Sequence, residues 1–125
     1  MSAQFEMQFF ESVLKKHPKY LDVMEILGQL YTENGRLDEG LKIDQKLVRL
    51  DPSSPTAQYN LACSYALKNR KKEALEALQK AVALGYDDWA WLIQDPDLES
   101  LLDDPDFQTL LNKKPTANTS EKGSH

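Results

Sequence analysis

Cysteine, histidine and long apolar runs are what this sequence has least of, and each shortage closes a class of function. Cys63 is the only cysteine, so no intrachain disulfide forms, and one thiol cannot by itself make a cysteine-based zinc site. That fits a reducing compartment, and the expected location is cytoplasmic. The two histidines are His17, in a turn, and His125, at the last position. Neither has a nucleophile arranged beside it, and catalysis of the Ser-His-Asp or Cys-His kind needs a histidine packed against the nucleophile. The five glycines form no phosphate-cradling loop. No stretch approaches the roughly 18 apolar residues that span a bilayer, and the opening Met1-Ser2-Ala3-Gln4 has no basic region or apolar run of a signal peptide. The expectation is a chain with no catalytic residues, no metal, no cofactor and no membrane partner.

Positive charge is also short. Fifteen Lys and Arg face 20 Asp and Glu, a net charge of -5, whereas a nucleic-acid-binding domain shows a basic total and a basic stripe. Nucleic acid is therefore not an expected partner, and the one basic stretch, Lys68 to Lys72, reads as a solvated turn between helices. Acidic residues gather at Asp95, Asp97, Glu99, Asp103, Asp104 and Asp106. A calcium loop of the EF-hand kind wants glycine at its sixth position and glutamate at its twelfth. Counted from Asp95 those positions hold Ser100 and Asp106, so the pattern fails. The same residues make sense as helix caps: Asp95-Pro96 and Asp104-Pro105 each join an N-cap to a residue preset for the first helical turn.

What the sequence does have is a period. Slid against itself by 34 residues, it matches Leu27 to Leu61, Tyr31 to Tyr65, Arg36 to Arg70, Glu39 to Glu73 and Leu41 to Leu75. Gln45, Lys46, Val48 and Leu50 likewise fall on Gln79, Lys80, Val82 and Leu84, with Gly28 on Ala62 and Gly40 on Ala74 as small-for-small pairs. From Leu21 to Asn34 the apolar residues Met24, Leu27, Leu30 and Tyr31 keep helical spacing, with Val23 and Ile26 beside them. Gly35 offers a left-handed cap, and Leu37, Leu41, Val48 and Leu50 carry the return helix. Asp51-Pro52-Ser53-Ser54-Pro55 breaks the chain, with Ser54 as N-cap and Pro55 first in the next helix. Further helices are expected to about Lys68 and from about Lys71 to Leu84. Helices this short are marginal alone in water, so each needs its neighbours.

This pattern resembles the tetratricopeptide repeats, whose period is 34. Residues 21–54 read Met24-x2-Leu27-Gly28-x2-Tyr31, then Gly40, Leu47 and Pro52; residues 55–88 read Gln58-x2-Leu61-Ala62-x2-Tyr65, then Ala74, Leu78 and Ala81. Met24 and Gln58 stand for the usual Trp, Asp44 for a large apolar residue, and Tyr86 for the closing Pro. The resemblance implies an all-α fold of antiparallel helix pairs stacked as a short solenoid within a single domain, residues 1–114. Its parts are an N-terminal capping helix at 3–18, full repeats at 21–54 and 55–88, and C-terminal capping helices at 89–113. In the first helix Phe5, Phe9 and Val13, and Phe10 and Leu14, follow the i, i+4 spacing of the second helix of a truncated repeat. In the last, Leu98, Leu101, Leu102, Phe107, Leu110 and Leu111 are expected to cover the stack, with Trp89 and Trp91 as core residues. The Asp-Pro-rich ending resembles small bacterial members of the family. The polar tail, 115–125, is expected to be disordered.

The resemblance also implies a role: a non-catalytic adaptor or scaffold that holds a partner protein or peptide in the concave groove lined by the first helices. Carried over by position, the groove residues are Asp22, Glu25, Gln29, Thr32 and Glu33, then Thr56, Tyr59, Cys63, Ala66 and Leu67, with Asn60 adjacent. Family members that grip the C-terminal carboxylate of chaperones use Lys and Asn at the fifth and ninth positions of one repeat, then Asn and basic residues on the next two. Here Glu25, Gln29, Thr56, Asn60, Ala90 and Gln94 occupy those places, so only Asn60 matches and no such clamp is expected. Asp22, Glu25 and Glu33 point instead to a neutral-to-basic partner. The alternatives are a self-associating module, giving a homo-oligomer through the Phe-rich first helix or the aromatic C-terminal segment, and a small secretion-type chaperone. A short groove filled by the chain's own C-terminal segment is a further possibility.

Overall fold

The computed structural model describes residues 2–115, and the sequence from 116 on, which holds most of the expected disordered tail, lies outside the described residues. Five helices form the stack: α1 (Ala3–Lys16), α2 (Leu21–Glu33), α3 (Leu37–Leu50), α4 (Pro55–Leu67) and α5 (Lys71–Ala83). Then come α6 (Trp89–Gln94), a 3-10 segment (Pro96–Leu101) and α7 (Pro105–Leu111). The pairs α2–α3 and α4–α5 are the antiparallel units of a tetratricopeptide-type solenoid, with α1 packed on α2 and α3 on α4.

The turns repeat as faithfully as the helices. After α2 the chain reverses with Arg36 N–H donating to Tyr31 C=O at 2.8 Å and Gly35 N–H to Thr32 C=O at 3.2 Å. After α4 the same pair runs from Arg70 to Tyr65 at 2.9 Å and from Asn69 to Ala66 at 3.0 Å. This is the Schellman arrangement, which needs a left-handed residue at its apex. Gly35 supplies it with φ of 76° and Asn69 with φ of 59°. Ser54 caps α4 by accepting from Ala57 N–H at 3.1 Å, one residue before Pro55.

The identities at 34-residue offset are repeated contacts. Arg36 lies over the Tyr31 ring at 4.8 Å and pairs with Glu39, and Arg70 lies over Tyr65 at 5.0 Å and pairs with Glu73. Each tyrosine hydroxyl then reaches back twenty positions to the preceding helix. Tyr31 donates to Glu11, and Tyr65 accepts from Gln45 Nε2 at 3.2 Å. The basic stretch is the expected inter-helix turn, with Lys68 ion-paired to Asp38 across the repeats.

The core runs through the second repeat into the C-terminal segment. Five of the eight largest fully buried side chains, Leu92, Leu98, Leu101, Phe107 and Leu110, come from the region after the repeats. That segment is core rather than trim, although Leu102 stays exposed. Asp95 and Asp104 cap their helical turns, accepting from Asp97 N–H at 2.9 Å and Asp106 N–H at 2.8 Å. One packing expectation changes, at Trp91, and the covered face of α1 is now defined. In α1 buried Met7 and the partly buried Ala3, Phe10 and Leu14 pack against Leu27 and Tyr31, whereas Phe5 and Phe9, on the face turned away from α2, are more than half exposed among the described residues. Trp89 packs on the core, but Trp91 on the next face of the short α6 is 46% exposed.

Candidate functional site

The first-helix surfaces of the two repeats meet at a cavity of about 250 Å³ lined by Gly28, Gln29, Thr32 and Glu33 of α2, Asp44 of α3, Tyr59, Asn60, Cys63 and Ser64 of α4, and Trp91, Asp95 and Asp97. Glycine at 28 and aspartate at 44 open this space together. A Cβ on Gly28 would lie 2.6 Å from Asp44 Oδ1 and 3.2 Å from Ile43 Cγ2, so only glycine lets the carboxylate stand there. One repeat later the same two positions hold Ala62 and Leu78, both fully buried and apolar.

Asp44 is itself buried, at 4% exposure. Ser64 Oγ donates to its Oδ2 at 2.5 Å, and no cation among the described residues pairs with it. Burial therefore pushes its carboxyl up to about 6, with Ser64 partly opposing and the charge of Glu25 adding to the rise.

On the other wall Asp95 gathers three donors. Tyr59 Oη donates to its Oδ2 at 2.5 Å, Cys63 Sγ approaches the same oxygen at 3.6 Å, and the Asp97 N–H takes Oδ1. Tyr59 also stacks on Tyr86 at 4.3 Å with the rings 4° from parallel, and Ser100 Oγ donates to Ala66 C=O. The turn from Asp95 onward thus lies along α4 and covers half of the expected groove with the chain's own segment. Cys63, Asp95 and Asp97 place potential ligand atoms within 4.8 Å of one another. Burial, with Asp95 and Asp97 adding, raises the Cys63 thiol well above its ordinary range. A thiol held as a protonated donor to a carboxylate already bonded to Tyr59 is a hydrogen-bonded cluster, not a prepared metal cage. No histidine lines the cavity; His17 caps the end of α1.

Of the residues expected along the groove, Gln29, Thr32, Glu33, Tyr59, Asn60 and Cys63 come together around this cavity. Asp22 lies exposed and Glu25 half-buried along the same helix, outside the cavity, as does half-buried Leu67 on α4. Tyr59 and Cys63 are buried under Asp95 and offer little surface to an extended segment. The residues that positional reasoning missed are Asp44, Asp95 and Asp97. Asp44 was visible as a charged residue at an apolar position, but the contact of Asp95 with Tyr59, 36 positions away, leaves no local mark.

Comparison with known proteins agrees with the geometry. Two family profiles, both described as tetratricopeptide repeat, match residues 9–55 and 55–88. A chloroplastic protein of Arabidopsis thaliana is 34% identical over 77 residues, covering 59% of this chain and 23% of that protein. The peroxisomal targeting signal receptor of Komagataella phaffii is 29% identical over 92 residues, covering 72% of this chain and 16% of the receptor. Tetratricopeptide repeat protein 36 of Caenorhabditis elegans is 34% identical over 80 residues, 59% of this chain and 42% of that one. The chain thus spans less than half the length of each of these relatives. The crystal structure of MamA shares the fold, with a TM-score of 0.67 over 87% of this chain and 67% of MamA at 22% identity.

Proposed function

The chain belongs to the tetratricopeptide-repeat family, and on that premise we propose that it is a non-catalytic adaptor or scaffold whose concave face holds a neutral-to-basic segment of a partner protein. The observation that carries this reading is the sign of the face. Asp22, Glu25 and Glu33 lie along α2, Asp44 and Asp97 line the cavity beside it, and no lysine or arginine lines that cavity. Such a surface favours cations and repels acidic tails. A reducing, cytoplasmic setting suits a chain whose single thiol is buried.

An array of acetylated 15-residue peptides of graded charge tests the reading. Basic peptides should be retained over acidic ones by at least tenfold, and Glu25→Lys with Glu33→Lys should erase that preference while helicity by circular dichroism stays unchanged. Retention unaffected by the reversal, or micromolar binding of an acidic chaperone-tail peptide, refutes it. Exposed Phe5 and Phe9 support a second reading, self-association through α1. Light scattering that finds only monomer at high micromolar concentration eliminates that one.

A further inference from the structure

We propose that the cavity is a receptor for one lysine side chain of the bound segment, with Asp44 as its charge partner. The inference rests on the reading of the concave face as a binding groove and commits that groove to a particular contact.

Asp44 is the starting point because folding has no use for it. The equivalent position of the second repeat is Leu78, fully buried, and exchanging a buried leucine for an unpaired carboxylate costs stability. Three departures accommodate it: Gly28 withholds the Cβ that would meet Oδ1, Ser64 donates to Oδ2, and the volume a large apolar side chain would fill stays open. One oxygen of a carboxylate more than nine-tenths buried is left without a hydrogen-bond donor among the described residues. A second group independently lacks a partner at the same place. Asn60 lines the cavity, and its Nδ2 is buried with no acceptor. A cation is what the open oxygen of Asp44 lacks, and a peptide lysine brings one as its ammonium.

The free geometry selects the head group. A guanidinium is recognised by two parallel oxygens, but Oδ2 of Asp44 is held by Ser64, and both oxygens of Asp95 are held by Tyr59 and Asp97. A single open oxygen suits an ammonium. Glu33 and Asp97 add negative charge, and half-exposed Trp91 offers an aromatic face for the methylene stem.

The test uses the full chain and four capped pentapeptides, alanines flanking a central lysine, norleucine, arginine or glutamate. Binding is followed by tryptophan fluorescence in a Trp89→Phe background and by the amide resonances of Gly28 and Ser64. The lysine peptide should shift both amides saturably, with norleucine and glutamate at least tenfold weaker and arginine at least threefold weaker. Asp44→Asn should bring the lysine peptide down to the norleucine level. Equal binding of lysine and norleucine by the unaltered chain, or arginine matching lysine, overturns the proposal and needs no variant to fold. The groove itself is judged separately with basic 15-residue peptides and Asp22→Lys, which lies outside the cavity lining and leaves the charges around Asp44 unchanged. Loss of those peptides with Asp44→Asn indifferent to lysine sinks the pocket and keeps the groove; the reverse pattern keeps the pocket and sinks the groove.

Discussion

Asp44 is a buried carboxyl with no cation beside it among the described residues. The Asp44 carboxyl is raised from 3.8 to about 6, so the native state holds its proton more tightly than the unfolded chain does. The ionised form is the one that folding disfavours. The penalty is therefore fully present above about pH 6 and fades as the pH falls toward 4. Holding the proton that much more tightly corresponds to about 3 kcal/mol. Asp44→Asn should then raise the unfolding free energy at pH 7 by up to about that amount, and the two proteins should converge near pH 4. Urea denaturation at the two pH values checks this, and a gap that persists at pH 4 contradicts it. The sequence marked Asp44 as out of place but not as buried. Only the packing of Gly28 and Ser64 against it shows why it is tolerated.

At the scale of the element, the helix boundaries were nearly all legible, because caps and breakers act over three or four residues. Ser54-Pro55, Asp95-Pro96 and Asp104-Pro105 each start a helical turn where local chemistry places it. The apex of the turn was legible at Gly35 and hidden at Asn69, which does the same work with a side chain. Nothing lies within 4 Å of a Cβ built on Gly35, so a substitution there meets only the backbone penalty of the left-handed region, about 1–2 kcal/mol for an ordinary L-residue. Gly35→Ala should cost about that much and Gly35→Asn clearly less, measured by thermal unfolding. Equal costs would mean that asparagine has no advantage at this apex. What spacing alone left undecided is which face of α1 is covered. Phe5 and Phe9 keep helical spacing as well as Met7 and Phe10 do, and only the position of α2 decides between them.

For the molecule as a whole, the joint between the repeats and the C-terminal segment rests on Asp95. Its side chain caps the 3-10 segment and accepts from Tyr59 and Cys63 of α4. Asp95→Ala should leave the buried Tyr59 hydroxyl without an acceptor, at a cost of about 1–3 kcal/mol, and should loosen the cover over Cys63. Alkylation of that thiol should accelerate at least tenfold, while an unchanged rate would show that the segment is held by its leucines and Phe107 alone. The repeat architecture was readable because each contact recurs 34 residues on. This joint was not, because it occurs once, across a long separation.

The seating of Leu98, Leu101, Phe107 and Leu110 on the second repeat gives the stack a polarity. A further helix pair arriving beyond α5 would have to evict these four buried side chains, whereas one arriving before α1 would find Phe5 and Phe9 already bare. Any lengthening of the array, by a second copy or by another protein's repeat, is therefore directional: it meets least resistance at α1.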